Sequence, residues 1–250
     1  MEIFPIPALQ DNYIWALLDD DHSQVVIVDP GEASPVKKIL AQHHLMLAGI
    51  LITHHHWDHT NGVVDLLSKF DEVPVVASDK SPHEFVTHRV KDGDEIVVAH
   101  VRCKALAIPG HTLDHTAYYN EHEPFLFTGD TLFSAGCGRI FEGSPEMMVA
   151  SLQKIAQLND ATKIYCGHEY TRANLKFAQT VEPNNLDIRD KLASIPPCTL
   201  PSTLSEERLI NPFLRCSEPE VIQAAKHHAG RTLATPVEVF AELRAWKSSF

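Results

Sequence analysis

No part of the 250-residue sequence is long and apolar enough to suggest a membrane helix. The longest nearly apolar run, residues 45–52, covers eight residues and includes Gly49, against the roughly 20 that a bilayer core requires. Positive charge is scarce: 21 Lys+Arg stand against 33 Asp+Glu, a formal net charge of −12. That excludes a nucleic-acid binder working by broad basic attraction. The five cysteines (103, 137, 166, 198 and 216) are odd in number and form no C-x-x-C pair. A disulfide framework is therefore not expected; reduced thiols and a cytoplasmic location are. The first twelve residues, MEIFPIPALQDN, hold no basic segment and are interrupted by Pro5, Pro7 and Asp11, so no signal peptide is expected. Internal repeats and low-complexity tracts are absent as well.

What remains is ordinary for a globular protein, with 44% hydrophobic and 22% charged residues. Histidine departs from this, with 16 in the chain and four of them at positions 54, 55, 56 and 59. Short Val- and Ile-rich runs bounded by Pro, Gly, Asp or Asn predict strands at residues 24–29, 50–53, 73–77, 95–99, 103–108, 125–128 and 163–166. Several are apolar on both faces, as in a sheet covered on each side. A helix is expected at about residues 34–44. Another should start at Ser144-Pro145, followed by apolar Met148, Leu152, Ile155 and Ala156 at helical spacing. Beyond residue 170 the strand pattern fades, and capping-box patterns at Thr203, Ser217 and Thr235 each predict a helix start. The expected organisation is a mixed α/β domain at residues 1–169 and a smaller helical domain at residues 170–250.

The segment Thr53-His54-His55-His56-Trp57-Asp58-His59 carries the strongest chemical signal. His54 and His56 are two apart, so in an extended segment they point the same way and can share an ion. Asp58 and His59 can reach a second ion. His55 is excluded because it points away. Three later segments repeat one layout, an apolar strand ending in Gly and followed at once by His or Asp: these end in His111, Asp130 and His168. Ligands leaving neighbouring strand ends would converge on one rim of a sheet. Five His and two Asp suit two metals better than one.

These residues resemble the T-H-x-H-x-D-H signature of the metallo-β-lactamase superfamily, with His111, Asp130 and His168 in the order that superfamily uses. The resemblance narrows to the glyoxalase II (hydroxyacylglutathione hydrolase) family through Asp11-Asn12-Tyr13, Val28-Asp29-Pro30-Gly31, residues 129–143 (GDTLFSAGCGRIFEG), residues 166–170 (CGHEY) and residues 211–215 (NPFLR). It implies an αββα sandwich with a C-terminal helical domain. It further implies that His54, His56 and His111 hold one metal, Asp58, His59 and His168 a second, and that Asp130 bridges the two. Zinc is the first choice, with iron and manganese also suited.

The implied reaction is hydrolysis of S-D-lactoylglutathione to D-lactate and glutathione, by attack of a hydroxide shared between the metals, in methylglyoxal detoxification. Asp58 is the candidate proton acceptor, and a thiolate leaving group needs no strong general acid. Arg139, Tyr170, Arg244 and Lys247 match the family's glutathione-binding positions. Arg244 and Lys247, three apart on one helix, project from the same side. Asp29 is the candidate carboxylate behind a ligand imidazole, with fixing the Asp29-Pro30-Gly31 turn as the equal alternative. Three positions depart from the family pattern: Arg139 in place of Lys, Phe141 in place of Tyr, and Asp114 in place of Gly. His115, His43-His44 and His227-His228 are read as structural or solvated. The partner is a small glutathione thioester rather than nucleic acid or membrane, and the default assembly is a monomer. A lactonase or β-lactamase would give no reason for NPFLR or the C-terminal basic pair. A persulfide dioxygenase with one iron would not need the second ligand set, and a metal-storage module would not need a substrate-binding helix.

Overall fold

The computed structural model describes residues 1–70 and 72–250. The chain divides into two compact units, one of residues 1–107 and 114–129, the other of residues 108–113 and 130–250.

The first unit is built from two sheets. In one, β1 (Glu2–Ala8), β2 (Asn12–Leu18) and β3 (Gln24–Val28) run antiparallel. The sheet continues in parallel through β4 (Met46–Leu51), β5 (Val75–Ser78) and β6 (His88–Val90). Parallel neighbours need a crossover, and α1 (Ala33–His43) supplies it between β3 and β4. Its Val36 and Leu40 pack into a core with Ile14, Val25, Ile27, Ile50, Ile52 and Val75. The second sheet is antiparallel and contains β7 (Glu95–Val98), β8 (Val101–Ala107), β9 (Thr116–Asn120) and β10 (Phe125–Gly129). Buried Tyr118 on β9 donates its hydroxyl to Ile52 O at 2.8 Å and Val76 O at 3.2 Å, tying the two sheets face to face. Two short helices, α2 (Trp57–Thr60) and α3 (Val63–Leu67), follow β4.

The second unit carries the hairpin β11 (Leu132–Phe133) and β12 (Gly136–Cys137), then α4 (Pro145–Ile155) and the pair β13 (Lys163–Cys166) with β14 (Ser202–Thr203). Its other helices are α5 (Thr171–Val181), α6 (Leu186–Ala193), α7 (Leu204–Ile210), α8 (Pro219–Ala229) and α9 (Pro236–Ser249). Glu182, almost wholly buried after α5, receives three bonds from Arg215 Nε and Nη2 at 2.9–3.1 Å.

The seven expected strands are all present, most with bounds shifted by one or two residues. The expected strand at 73–77 begins at Val75, that at 103–108 spans Val101–Ala107, and that at 50–53 is corrected to Met46–Leu51, sharing only residues 50 and 51 with the expectation. Strands β1, β2, β6, β9, β11, β12 and β14 were not expected; Pro5 and Pro7 obscure β1, yet as the sheet's edge strand it tolerates them. Ser144 caps α4 as expected, and Thr235 forms a complete capping box with Glu238. The start expected at Ser217 is corrected: Pro219 occupies the first helical position, which makes Glu218 the cap. His228 is not merely solvated, since it bonds Glu242 at 2.7 Å and stacks on Trp246. Among the described residues no helix is long and apolar enough to cross a membrane.

Candidate metal centre

In the first unit, two adjacent parallel strands position a group of candidate ligands. Strands β3 and β4 deliver Asp29 and Thr53 side by side at their carboxyl ends, where α/β sheets place ligands. Asp29 accepts from Thr53 N on Oδ1, and from Thr53 Oγ1 and His59 Nδ1 on Oδ2, at 2.7, 2.7 and 3.0 Å. Thr53 Oγ1 has then spent its hydrogen on Asp29, so its 3.0 Å contact with His54 Nδ1 requires that nitrogen to be the donor. One carboxylate therefore fixes the Nδ1–H form of both His54 and His59, the second directly and the first through Thr53. In the neutral imidazole each ring then carries its lone pair on Nε2.

Around these rings, His54 Nε2 lies 3.2 Å from His56 Nδ1, and His59 Nε2 lies 3.4 Å from Asp58 Oδ2. Asn12 Nδ2 donates to the same Asp58 oxygen at 3.1 Å. A side chain at Gly31 would fall 1.8 Å from Asp58 O, so only glycine lets the Asp29-Pro30-Gly31 turn approach α2 this closely. Gly129, at φ +45°, is likewise required: a Cβ there would meet Thr53 Oγ1 at 2.3 Å. His55 is turned aside onto Asp114, 2.8 Å away, which gives the Asp in place of Gly a partner. His115 stacks on the His54 ring at 4.7 Å, in keeping with its reading as structural.

The second unit holds a group of its own, His111, Asp130 and His168. Asp130 Oδ2 lies 3.5 Å from His111 Nε2 and 3.4 Å from His168 Nε2. The Arg139 carbonyl accepts from His111 Nδ1 at 2.8 Å, and a carbonyl cannot donate, so the Nε2 of this imidazole also faces inward as a lone pair. Tyr170 stacks on His168 at 4.7 Å with planes 5° apart, and Phe133 meets both rings edge-on. Phe141 sits edge-on to His111, its ring largely exposed.

The chemistry of the donor set fits divalent metals. Ligand atoms about 2.0–2.1 Å from a tetrahedral ion stand about 3.4 Å apart. The facing nitrogens and carboxylate oxygens here are spaced at 3.2–3.5 Å, mostly longer than good hydrogen bonds.

The cations lie in the second unit. Arg244 Nη1 donates to Cys137 O at 2.6 Å, with its guanidinium over the Phe213 ring. Lys247 Nζ reaches Ala173 O at 3.4 Å, between Phe177 and Phe250. Both side chains leave one side of α9 as expected, but they fold inward rather than into solvent. Burial, and then the nearby Arg244 and Arg139 charges, hold the Lys247 ammonium below its ordinary range. Like charges gathered at such a cost suit an anionic ligand. Asn12 and Thr53 were not singled out individually as functional residues; their places beside Asp11-Tyr13 and immediately before His54 were the available signals.

Fold and donor set together define a metal-binding protein of the metallo-β-lactamase superfamily, whose family model matches residues 12–168. The model for the hydroxyacylglutathione hydrolase C-terminus matches residues 169–250. The chain is 46% identical to a hydroxyacylglutathione hydrolase of Nitrosomonas eutropha, covering 100% of this chain and 99% of the relative. It is also 46% identical to one of Hahella chejuensis, covering 100% and 99%. A solved structure of ETHE1 from Myxococcus xanthus shares the fold at a TM-score of 0.69 and 24% identity, covering 100% of this chain and 99% of that one. The chain belongs to the hydroxyacylglutathione hydrolase family.

Proposed function

We propose that the protein hydrolyses S-D-lactoylglutathione and related 2-hydroxyacylglutathione thioesters to the hydroxy acid and glutathione, in methylglyoxal detoxification. His54, His56 and His111 would hold one divalent ion, Asp58, His59 and His168 the other, and Asp130 would serve both. Zinc is the first choice, with iron and manganese as alternatives. Bound in this way, divalent ions acidify water and polarise a thioester carbonyl.

The chain's own residues do the rest. Asp29, through Thr53 and directly, holds the Nδ1 hydrogens of His54 and His59, so that each neutral ring offers Nε2 as the ligand atom. Asn12 steadies Asp58 Oδ2, the candidate proton acceptor. Arg139, Arg244 and Lys247 receive the glutathionyl carboxylates, with Tyr170 beside them. The glutathione thiolate leaves without a strong general acid. In this reading residues 1–169 serve catalysis and residues 170–250 complete the substrate site, in a cytoplasmic monomer with reduced thiols.

One observation carries the reading. Arg139 joins the two functions, because its backbone carbonyl orients His111 while its side-chain charge acts on Lys247. A metal-storage protein has no use for that coupling, nor for three cations near one another.

The test is loss of S-D-lactoylglutathione by protein as purified and after chelator stripping. Turnover that vanishes on stripping and returns with zinc, iron or manganese supports the proposal. No turnover with any metal overturns it and favours the dioxygenase, detected as oxygen uptake with glutathione persulfide.

A further inference from the structure

The hairpin β11–β12 lies between Asp130 and Arg139 and contains a backbone conformation that it would not hold alone. Ala135 at its tip has φ +54°, a left-handed value that L-residues with a Cβ seldom adopt. Side chains from the C-terminal helices grip the hairpin almost residue by residue. Glu207 on α7 accepts from Ala135 N at 2.7 Å. Asn211, which ends α7 and opens the NPFLR segment, donates to Phe133 O at 3.1 Å, Gly136 O at 3.0 Å and Glu207 Oε2 at 3.1 Å. Asn174 on α5 donates to Ser134 O at 3.0 Å, and Arg244 takes Cys137 O.

From the hairpin the contacts lead to the metal ligands. Gly138 N closes on Thr131 O at 3.2 Å, and a side chain on Gly138 would lie 1.9 Å from Asp130 O. The next residue, Arg139, presents the carbonyl that orients His111, and Phe141 N donates to His111 O at 3.1 Å. The place of the hairpin therefore fixes where the Arg139 carbonyl points.

We propose that Glu207 and Asn211 are positioning residues: by clamping the β11–β12 hairpin they set the Arg139 carbonyl that orients His111, and with it the Arg139 guanidinium. The inference rests on the ligand role given to His111 above. Both side chains are fully buried. Burial pushes the Glu207 carboxyl above its ordinary range, with the Ser202 and Ser134 hydroxyls against it. A glutamine keeps the acceptor oxygen that Ala135 N uses and has the same shape, so its amide can stand in for the carboxyl.

The test uses the full chain and four variants, Glu207→Gln, Glu207→Met, Asn211→Ser and Val221→Ala. The last removes buried volume on α8, away from the clamp, and controls for general destabilisation. Zinc affinity is measured without substrate, by competition with a chromophoric chelator below the melting point of every variant. Values of kcat and KM for S-D-lactoylglutathione follow at saturating zinc. Glu207→Met and Asn211→Ser should weaken zinc binding by about tenfold, the scale of losing a group that orients a ligand, and raise KM severalfold. Glu207→Gln should restore both, and Val221→Ala should melt lower with both unchanged. Should Glu207→Met not fold, Asn211→Ser and Glu207→Gln decide the matter. Wild-type zinc affinity and KM in Asn211→Ser, or a Glu207→Gln as impaired in zinc binding as Asn211→Ser, would overturn the inference alone. A wild-type protein that binds no zinc would overturn the ligand reading and the inference together.

Discussion

Replacing Asp29 with Asn is the most informative single change, because it keeps shape and reverses hydrogen-bond polarity at one edge. Asn tolerates the left-handed backbone found here, φ +53°, so the turn should survive. Its oxygen can still accept from Thr53 N. Its amide nitrogen, however, would face Thr53 Oγ1 and His59 Nδ1, two atoms that now donate to Asp29 Oδ2. The hydroxyl must then accept from the amide and give its own hydrogen to His54 Nδ1, 3.0 Å away. His59 Nδ1 must accept as well. Both rings are pushed to the tautomer with hydrogen on Nε2, which removes the lone pair that a metal needs. Each lost orientation is worth about 10–100-fold in metal affinity; with His54 and His59 on different ions, each ion should bind about 10–100-fold more weakly and loading of both should fall by about 10²–10⁴-fold. Asp29→Ala, by contrast, leaves buried donors without an acceptor and should also destabilise the fold by about 1–3 kcal/mol per group. Zinc competition and thermal melting on both variants separate the effects. Wild-type zinc affinity in Asp29→Asn would refute the tautomer argument outright.

Asp130→Ala should leave metal content low and abolish nearly all turnover, read by elemental analysis and thioester assay; unchanged activity would sink the two-metal centre. Arg244→Ala should raise KM far more than it lowers kcat, and an effect on kcat alone would contradict its carboxylate role. Because the Lys247 ammonium is held below its ordinary range, it loses its charge earlier than a free lysine as pH rises. KM should therefore climb on the alkaline side in the wild type and stay flatter in Lys247→Arg. Arg215→Ala strands the carboxylate of Glu182, only 1% exposed, and should cost about 3–5 kcal/mol in urea unfolding.

Four of the seven candidate ligands were readable in the sequence because they follow the end of an apolar strand, and the residues at strand ends are local information. His54, His111, Asp130 and His168 all carry that mark. What orients them is not local. His111 takes its acceptor from 28 residues away and His59 from 30, and Asp58 takes its donor from 46; no periodicity links such positions. The same limit hid the clamp on the hairpin, where Glu207 reads as one more acidic residue in a helix. Strand β1 was lost to its prolines. The spacing of Arg244 and Lys247 on α9 was legible, but their inward packing depends on Phe177 and Phe213, which lie on other segments.

The three hydrogen-bond relays have a common logic. His54, His59 and His111 each have Nδ1 committed to an oxygen belonging to the fold: a threonine hydroxyl that Asp29 polarises, Asp29 itself, and the Arg139 carbonyl. The choice of tautomer is thus made during folding, in the same bonds that join β3 to β4 and the hairpin to His111. It follows that metal entry needs little rearrangement of these rings, since the lone pairs already face inward. It follows too that a single change in the fold reaches more than one functional group. A change at Asp29 reaches His54 and His59 together, whereas a change at Glu207 reaches His111 and Arg139 together. Combining Asp29→Asn with Glu207→Met therefore strikes orienting groups on separate ligands, and departure from additive losses in zinc affinity would measure how far the ligands act as one centre.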